Sequence, residues 1–310
     1  MEAIKCIFCD KESEQILIKE NGYNGRKCPD CGLIYISPRP ALGEIKDLYG
    51  HDQANITAES HIQDEFAKRL YAKRNLQIIR KFISNGSLLE IGAGAGYFLD
   101  EARLAGFDVA GIELNSIQAE FMRSKMHIRC EDRPLDSQSF GSNKFEVIYH
   151  CDVISHFFDP VGEFRKINEA LCDGGFLIFE TGNGGDIDEG YFKLLKSFQY
   201  PDHLFFFSGR NINTLLENTG FELLKTYSYS LVPQLFLVNL VARITNKKPE
   251  NRSAERAAAP AISRKHAKRV FVRSAKNIYS WLGFLLRYKV GYVVPKNGRP
   301  QTKVFIARKK

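Results

Sequence analysis

From Ser87 onward, short apolar runs alternate with longer stretches whose apolar residues recur every three or four positions. The runs "LLEIG", "DVAGIEL", "IRC", "FEVIYHC", "FLIFET" and "FELLKTY" read as buried strands. Between them, "FLDEARLAG", "SIQAEFMRSK", "EFRKINEALCDGG" and "INTLLENTG" carry helical periodicity. Alternation at these lengths predicts an α/β fold, a doubly wound and mostly parallel sheet with helices on both faces. A last run, "TKVFIARKK" at residues 302–310, supplies one more strand and brings the sheet to seven.

Upstream, "DEFAKRLYAKRNLQIIRKFI" spaces Phe66, Leu70, Ile79, Phe82 and Ile83 at near-helical intervals. Residues 41–87 are therefore expected to form a linker and one long amphipathic helix, ending before Asn85 and Gly86 and packed over the edge of the sheet. Downstream, "SYSLVPQLFLVNLVARI" is apolar but broken by Pro233 and Asn239. It is followed by "NRSAERAAAPAIS", which reads as a flexible loop. Next, "KRVFVRSAKNIYSWLGFLLRYK" sets Phe271, Ala275, Ile278, Leu282 and Leu285 on a helical stripe with Trp281 beside it, flanked by Lys268, Arg269, Arg273 and Lys276. The expected organisation is a small lobe at 1–40, linker and helix at 41–87, a sheet domain at 88–230, a helical basic insertion at 231–300, and the last strand at 301–310.

With 310 residues, 44% hydrophobic and 26% charged, the chain can bury a full core. Its net charge of +8 is unevenly placed. Residues 240–310 hold 19 Lys and Arg against 2 acids, or +17, leaving 25 against 34, or −9, for the rest. A basic amphipathic segment suits an anionic membrane surface, where each Lys or Arg contributes about 1 kcal/mol. Packing on its own domain, or binding nucleic-acid phosphates, are the competing readings. The N-terminus lacks a basic-then-apolar signal pattern, and no stretch of about 18 apolar residues is present. The expected location is cytoplasmic, with peripheral contact at the inner membrane face.

Four of the seven cysteines form two CxxC pairs, Cys6/Cys9 and Cys28/Cys31, eighteen residues apart with Gly32 behind the second. Two CxxC turns at this spacing bring four thiolates to one tetrahedral ion, with "QILIKE" running out as a strand and "LIYIS" returning as its partner. This is the pattern of a structural zinc ribbon. Four cysteines close the coordination shell and leave no open catalytic position. Cys130, Cys151 and Cys172 have no nearby base in sequence and read as small buried apolar residues.

The chemistry concentrates in "LLEIGAGAGYFLDEARLAGFDVAGIELN", residues 88–115. A dinucleotide fingerprint puts its third glycine five residues after the first. That position is Tyr97, and the glycines here are Gly92, Gly94 and Gly96, preceded by Glu90. An acid there would repel a pyrophosphate but suits an ammonium. Glu113, at the end of the next strand, can accept hydrogen bonds from both ribose hydroxyls of an adenosine.

"LLEIGAGAGYFL" followed by "GIELN" resembles the cofactor site of the class I S-adenosylmethionine-dependent methyltransferases, and the likeness extends over residues 88 to about 230. "FEVIYHCDVISHFFDP", "GGFLIFETGN" and "YPDHLFFFSGRNINTLLENTGF" are similar to segments of the bacterial branch acting on sugars, lipids or quinone precursors. The four-cysteine ribbon resembles that of deoxysugar methyltransferases, although the long second half of their C-methylating members is missing. The resemblance implies a Rossmann-like methyltransferase fold and S-adenosylmethionine as cofactor. It further implies that Gly92, Gly94 and Gly96 admit the methionine end, Glu90 supports its ammonium, Glu113 binds ribose, and Asp132, with Glu131 as competitor, lies near the adenine.

A sulfonium methyl is already activated, so catalysis rests mostly on alignment. A hydroxyl acceptor must still lose a proton, and histidine is the usual base near neutrality. His156 in "DVISHFFDP" and His203 in "YPDHLFFFS" are the candidates; His150 and His127 read as structural. Asn183, after the fifth strand, is a candidate to orient the acceptor or simply a turn residue. The expected reaction is O-methylation of a hydroxyl on a sugar, glycolipid or related small metabolite. The alternatives are an RNA or protein methyltransferase gripping its substrate with ribbon and basic segment, and a non-catalytic binding protein of the same fold.

Overall fold

The computed structural model describes residues 1–44, 52–195, 197–244, 266–294 and 298–310. Its centre is a seven-stranded sheet of β4 (Gly86–Ile91), β5 (Phe107–Ile112), β6 (Arg129–Glu131), β7 (Phe145–Cys151), β8 (Leu171–Gly182), β10 (Phe221–Ser230) and β11 (Gln301–Lys309). The strands lie in the order β10-β11-β8-β7-β4-β5-β6. Six of them point the same way, and β11 alone runs against them, antiparallel to both β8 and β10. The expected seven strands are all present, with "TKVFIARKK" inside the sheet rather than at its edge.

Alternation along the strands sorts the core into two layers. Leu89, Ile148, Leu177 and Phe305 pack with Phe164 and Ile167 of helix Pro160–Ala170 and with Ile212 and Leu215 of helix Gly209–Asn218. Leu88, Val147, Ile178 and Val304 pack with Leu76 and Ile79 of helix Glu65–Ile79 and with Phe98 and Leu99 of helix Tyr97–Leu104. Local chemistry fixes the helix starts. Asp159 accepts the Gly162 N–H at 3.0 Å ahead of Pro160, and Ser208 and Asn211 form a capping box.

Three expectations change. The segment before the sheet is two helices, Asp52–Gln63 and Glu65–Ile79, broken at Asp64 (φ −87, ψ 28). "LVPQLFLVNLVARI" is one helix, Val232–Ile244, because Pro233 sits in its first turn, where no intrahelical N–H is missed. In the ribbon, β1 (Ile16–Glu20) and β3 (Ile34–Ile36) are not partners, since β2 (Tyr23–Lys27) lies between them. Residues 251–263 and the side chains of Lys268, Arg269, Phe271, Arg273 and Ala275 lie outside the described residues.

The ribbon is not a separate lobe. Its β3 pairs with β9 (Phe205–Phe206) from the sheet domain, making one four-stranded sheet, β1-β2-β3-β9. Leu33, Tyr35, Tyr200, Phe205 and Phe164 all belong to one continuous core.

Candidate active site

At the carboxyl end of β4 the chain turns sharply, the Gly92 and Ala93 N–H groups donating to Ile112 O at 2.8 and 3.0 Å. Gly92 and Gly96 hold φ of +71° and +77°, and the space beside each is taken: a Cβ would meet Val153 Cγ2 at 2.6 Å or Met122 Cγ at 2.5 Å. Left-handed backbone and close neighbours together demand glycine. Gly92→Ala is accordingly expected to cost about 1–3 kcal/mol, measured as a lowered urea midpoint, and to weaken catalysis by pushing Val153 outward.

Glu113 closes the turn from below. Its Oε2 accepts the Gly94 N–H at 2.7 Å and its Oε1 the Asn115 N–H at 2.8 Å. Burial lifts its pKa above the ordinary carboxylate value, an effect these N–H groups oppose. Glu90 is buried deeper, and its Oε2 has no hydrogen-bond partner among the described residues. Burial, with Glu113 adding, holds its pKa well above the usual range. An orphaned buried carboxylate is costly, and a cationic ligand would relieve that cost.

Glu90, the glycines and Glu113 thus converge, whereas Asp132 stands apart: its half-exposed carboxylate faces Arg123 at 3.3 Å. Glu131 is fixed by accepting the Phe140 N–H at 2.7 Å.

Val153, against Gly92, leads into the second half of the site. Asp152, just past β7, has φ +54° and donates its N–H to Glu180 O at 2.8 Å. Its side chain opens outward, yet the surrounding protein mass, with Glu180 adding, carries its pKa up to about 6. Such a residue at a strand end is a hallmark of functional strain. His156 follows on a short 3-10 turn, its Nδ1 at 3.1 Å from both the carbonyl and Oδ1 of Asp202. The His203 ring packs edge-on at 4.7 Å.

The two imidazoles differ electrostatically. Burial lowers His156, but Asp202 more than compensates, and its pKa ends above the ordinary 6.5. Burial and the neighbouring His156 charge bring His203 down to about 4. Two imidazoles and a carboxylate whose ligand atoms lie within 4.8 Å are also a set able to hold a cation.

The remaining candidates are structural. His150 is fully buried, stacked on Phe179 at 4.8 Å, and its pKa falls to about 3. His127 is the left-handed residue (φ 52) ending a short helical turn. Asn183 pins β11 instead of facing an acceptor, donating to Arg299 O at 3.1 Å and accepting the Gln301 N–H at 2.7 Å. Burial pushes the Cys130 thiol up to about 12, so it is no nucleophile.

Sequence reasoning missed Asp152, Asp202 and Glu20. The signal for the first two was an acid beside a candidate strand end or histidine. Glu20 gave none: its carboxylate accepts the N–H groups of Phe198 and Tyr200 at 3.0–3.2 Å, across most of the chain. Asn21 Nδ2 donates to Tyr200 O at 2.7 Å, and Arg39 donates to Phe158 O at 2.7 Å. The ribbon therefore holds both segments that carry the histidine pair.

The ribbon's cysteines gather as their spacing requires. Their sulfurs lie within 4.8 Å of one another, Cys6 and Cys31 at 3.4 Å. Tetrahedral zinc sets its sulfurs about 3.8 Å apart, so the quartet fits that ion. Asp10 and Gly32, at φ 52 and 74, close the two tight turns by donating to Cys6 O and Cys28 O. Burial pushes the Cys6, Cys9 and Cys31 thiols up to about 11, a state that a bound cation would reverse.

Strand order, glycine turn and strand-end acids define a Rossmann-like methyltransferase fold. A methyltransferase domain family matches residues 63–226, and the chain belongs to that family. Over 149 residues it is 30% identical to the tRNA U34 carboxymethyltransferase of Aliivibrio fischeri, covering 45% of each protein. It is 25% identical to the ubiquinone biosynthesis O-methyltransferase of Cereibacter sphaeroides, over 46% of this chain and 57% of that one. The chain spans about half the length of these curated relatives. A candidate sarcosine dimethylglycine methyltransferase from Galdieria sulphuraria superposes with TM-score 0.50 at 14% identity, covering 78% of this chain and 85% of that chain. At that identity the likeness shows the fold alone.

Proposed function

We propose that the protein transfers the methyl group of S-adenosylmethionine to a hydroxyl of a sugar, glycolipid or related small metabolite, with His156 as general base. The observation that carries this reading is the His156–Asp202 contact at 3.1 Å, on the turn that starts beside Gly92. Asp202 holds His156 Nδ1 and orients the ring, and Nε2 would take the acceptor proton. S-adenosylmethionine, when bound, would supply the methyl as an activated sulfonium group and would depart as the neutral thioether. His203, neutral at working pH, shapes the acceptor wall beside Phe206, their ring centroids 5.8 Å apart.

In this reading the Gly92–Gly96 turn would receive the methionine end of the cofactor, Glu90 would support its ammonium and Glu113 would bind its ribose. Asp132 remains our candidate near the adenine, which requires it to release Arg123. Cys6, Cys9, Cys28 and Cys31 hold a structural zinc whose charge stabilises four thiolates and stiffens the ribbon. The basic C-terminal segment suits work beside an anionic membrane surface.

The test is transfer of labelled methyl from S-adenosylmethionine into fractionated cell extract. Label in a lipid-extractable or small-molecule glycan fraction supports the reading. A second reading, an RNA acceptor, is favoured by the similarity to a tRNA enzyme and by the +17 segment. Label confined to RNA would establish it and reject ours.

A further inference from the structure

The C-terminal insertion carries two apolar faces, and only one is used. Numbering around helix His266–Leu285, the side holding Ser280, Gly283 and Phe284 turns inward. Phe284 and the following Tyr288 pack edge-on against Tyr71 at 5.5 and 5.6 Å, and Lys276 pairs with Asp64. By helical geometry Ile278 and Leu282 lie roughly 150–170° from that side, and Trp281 about 110° from it, on the flank of the outward face. Helix Val232–Ile244 repeats the arrangement: Gln234, Leu237 and Val238 face the same interhelical cavity, while Phe236 and Leu240 point away.

The outward residues are exposed to a degree unusual for their type: Phe236 68%, Ile278 60%, Trp281 46%, Tyr292 59% and Val293 75%. Of sixteen exposed large hydrophobic residues among those described, nine fall between 236 and 293. Such clustering marks a binding surface. Packing on the sheet domain does not account for it, since that role is filled by the inward face.

We infer that these outward faces, with the Tyr292–Val293 turn, form a docking surface for an anionic lipid bilayer. The deduction rests on the reading of a membrane-associated acceptor and names the residues that would meet the lipid. Two properties select the partner. Aromatic and aliphatic side chains in rows suit the headgroup–acyl boundary, and residues 240–310 remain strongly basic by sequence even with Lys276, Arg287, Lys303, Arg308 and Lys309 committed to ion pairs, which suits anionic lipid. Neither helix spans the bilayer, since one has 13 residues and the 20-residue other carries four Lys and Arg by sequence. The surface is rooted at the catalytic edge: Tyr288 Oη donates to Glu180 Oε1 at 2.6 Å, and Glu180 O accepts the Asp152 N–H at 2.8 Å. Docking would thus bring the acceptor side of the sheet to the membrane.

Trp281 is the chain's single tryptophan and reports on this face directly. With full-length protein and phosphatidylcholine–phosphatidylglycerol vesicles, its emission should shift to the blue and be quenched by acyl-brominated lipid. Phosphatidylcholine alone should give little of either. Leu282→Glu should lower vesicle partitioning about tenfold while leaving the heat of S-adenosylhomocysteine binding unchanged, which shows the variant is folded. Unchanged Trp281 emission with anionic vesicles overturns the inference, as does a dimer that hides Trp281 or a response to RNA alone. The assay contains no acceptor, so failure of the acceptor reading leaves it interpretable.

Discussion

His156→Ala is expected to lower kcat by a factor of about 10² to 10⁴, the usual worth of a positioned base, with cofactor affinity unchanged. The pH dependence identifies the residue. Catalysis needs neutral His156, and the fold raises its pKa, so kcat/KM should climb with pH through a midpoint above 6.5. Asp202→Asn removes the carboxylate that opposes burial, so the midpoint should move down and the rate fall. Were His203 the base, the limb would lie near pH 4. Stability runs the other way. A pKa above its unfolded value stabilises the fold below pH 6.5, and this contribution fades as pH rises through the folded value. It is small because the pair is partly exposed to solvent. A profile centred near pH 4, or a His156→Ala enzyme of ordinary rate, would remove His156 from the mechanism.

Loss of the ribbon's metal should have the largest effect on stability. Small zinc domains draw on the order of 10–16 kcal/mol from the ion. Here part of that energy would reach the segments carrying the histidine pair, because β3 pairs with β9 and Asn211 Nδ2 donates to Cys31 O at 3.0 Å. The purified protein is expected to contain one zinc per chain. Chelation or Cys28→Ser should lower the melting temperature by many degrees, and methyl transfer should fall more than cofactor binding, since the glycine turn lies outside the ribbon. Acid should weaken metal retention, as protons compete for the thiolates. Metal-free protein as isolated, or chelated protein with unchanged melting and activity, would contradict the zinc assignment.

Much of the sheet was legible because its signals are local. Glycines at 92, 94 and 96 with acids at 90 and 113 declare a turn whose spacing alone argues against a dinucleotide. The alternation of apolar runs needs no long-range information. What escaped is what pairing creates. "YNGRK" is polar and contains a glycine, and it becomes β2 only between two better strands. Phe205 and Phe206 are too short a run to announce a strand, and β9 exists because β3 offers it an edge. Asp202 and Glu20 act through contacts 46 and about 180 residues away, which no spacing rule reaches. The stripe of Ile278 and Leu282 was visible as periodicity, but not the side of the helix on which it would fall.

The central claim is that the Gly92–Gly96 turn and the Glu113 carboxylate together hold the methyl donor. Calorimetric titration of the purified full chain with S-adenosylhomocysteine tests it most directly. Wild-type protein should give saturable 1:1 heat, and Glu113→Ala, shown to be folded by circular dichroism, should bind at least about a hundredfold more weakly, since two hydrogen bonds to a charged group are lost. Undiminished affinity in that variant would contradict the claim.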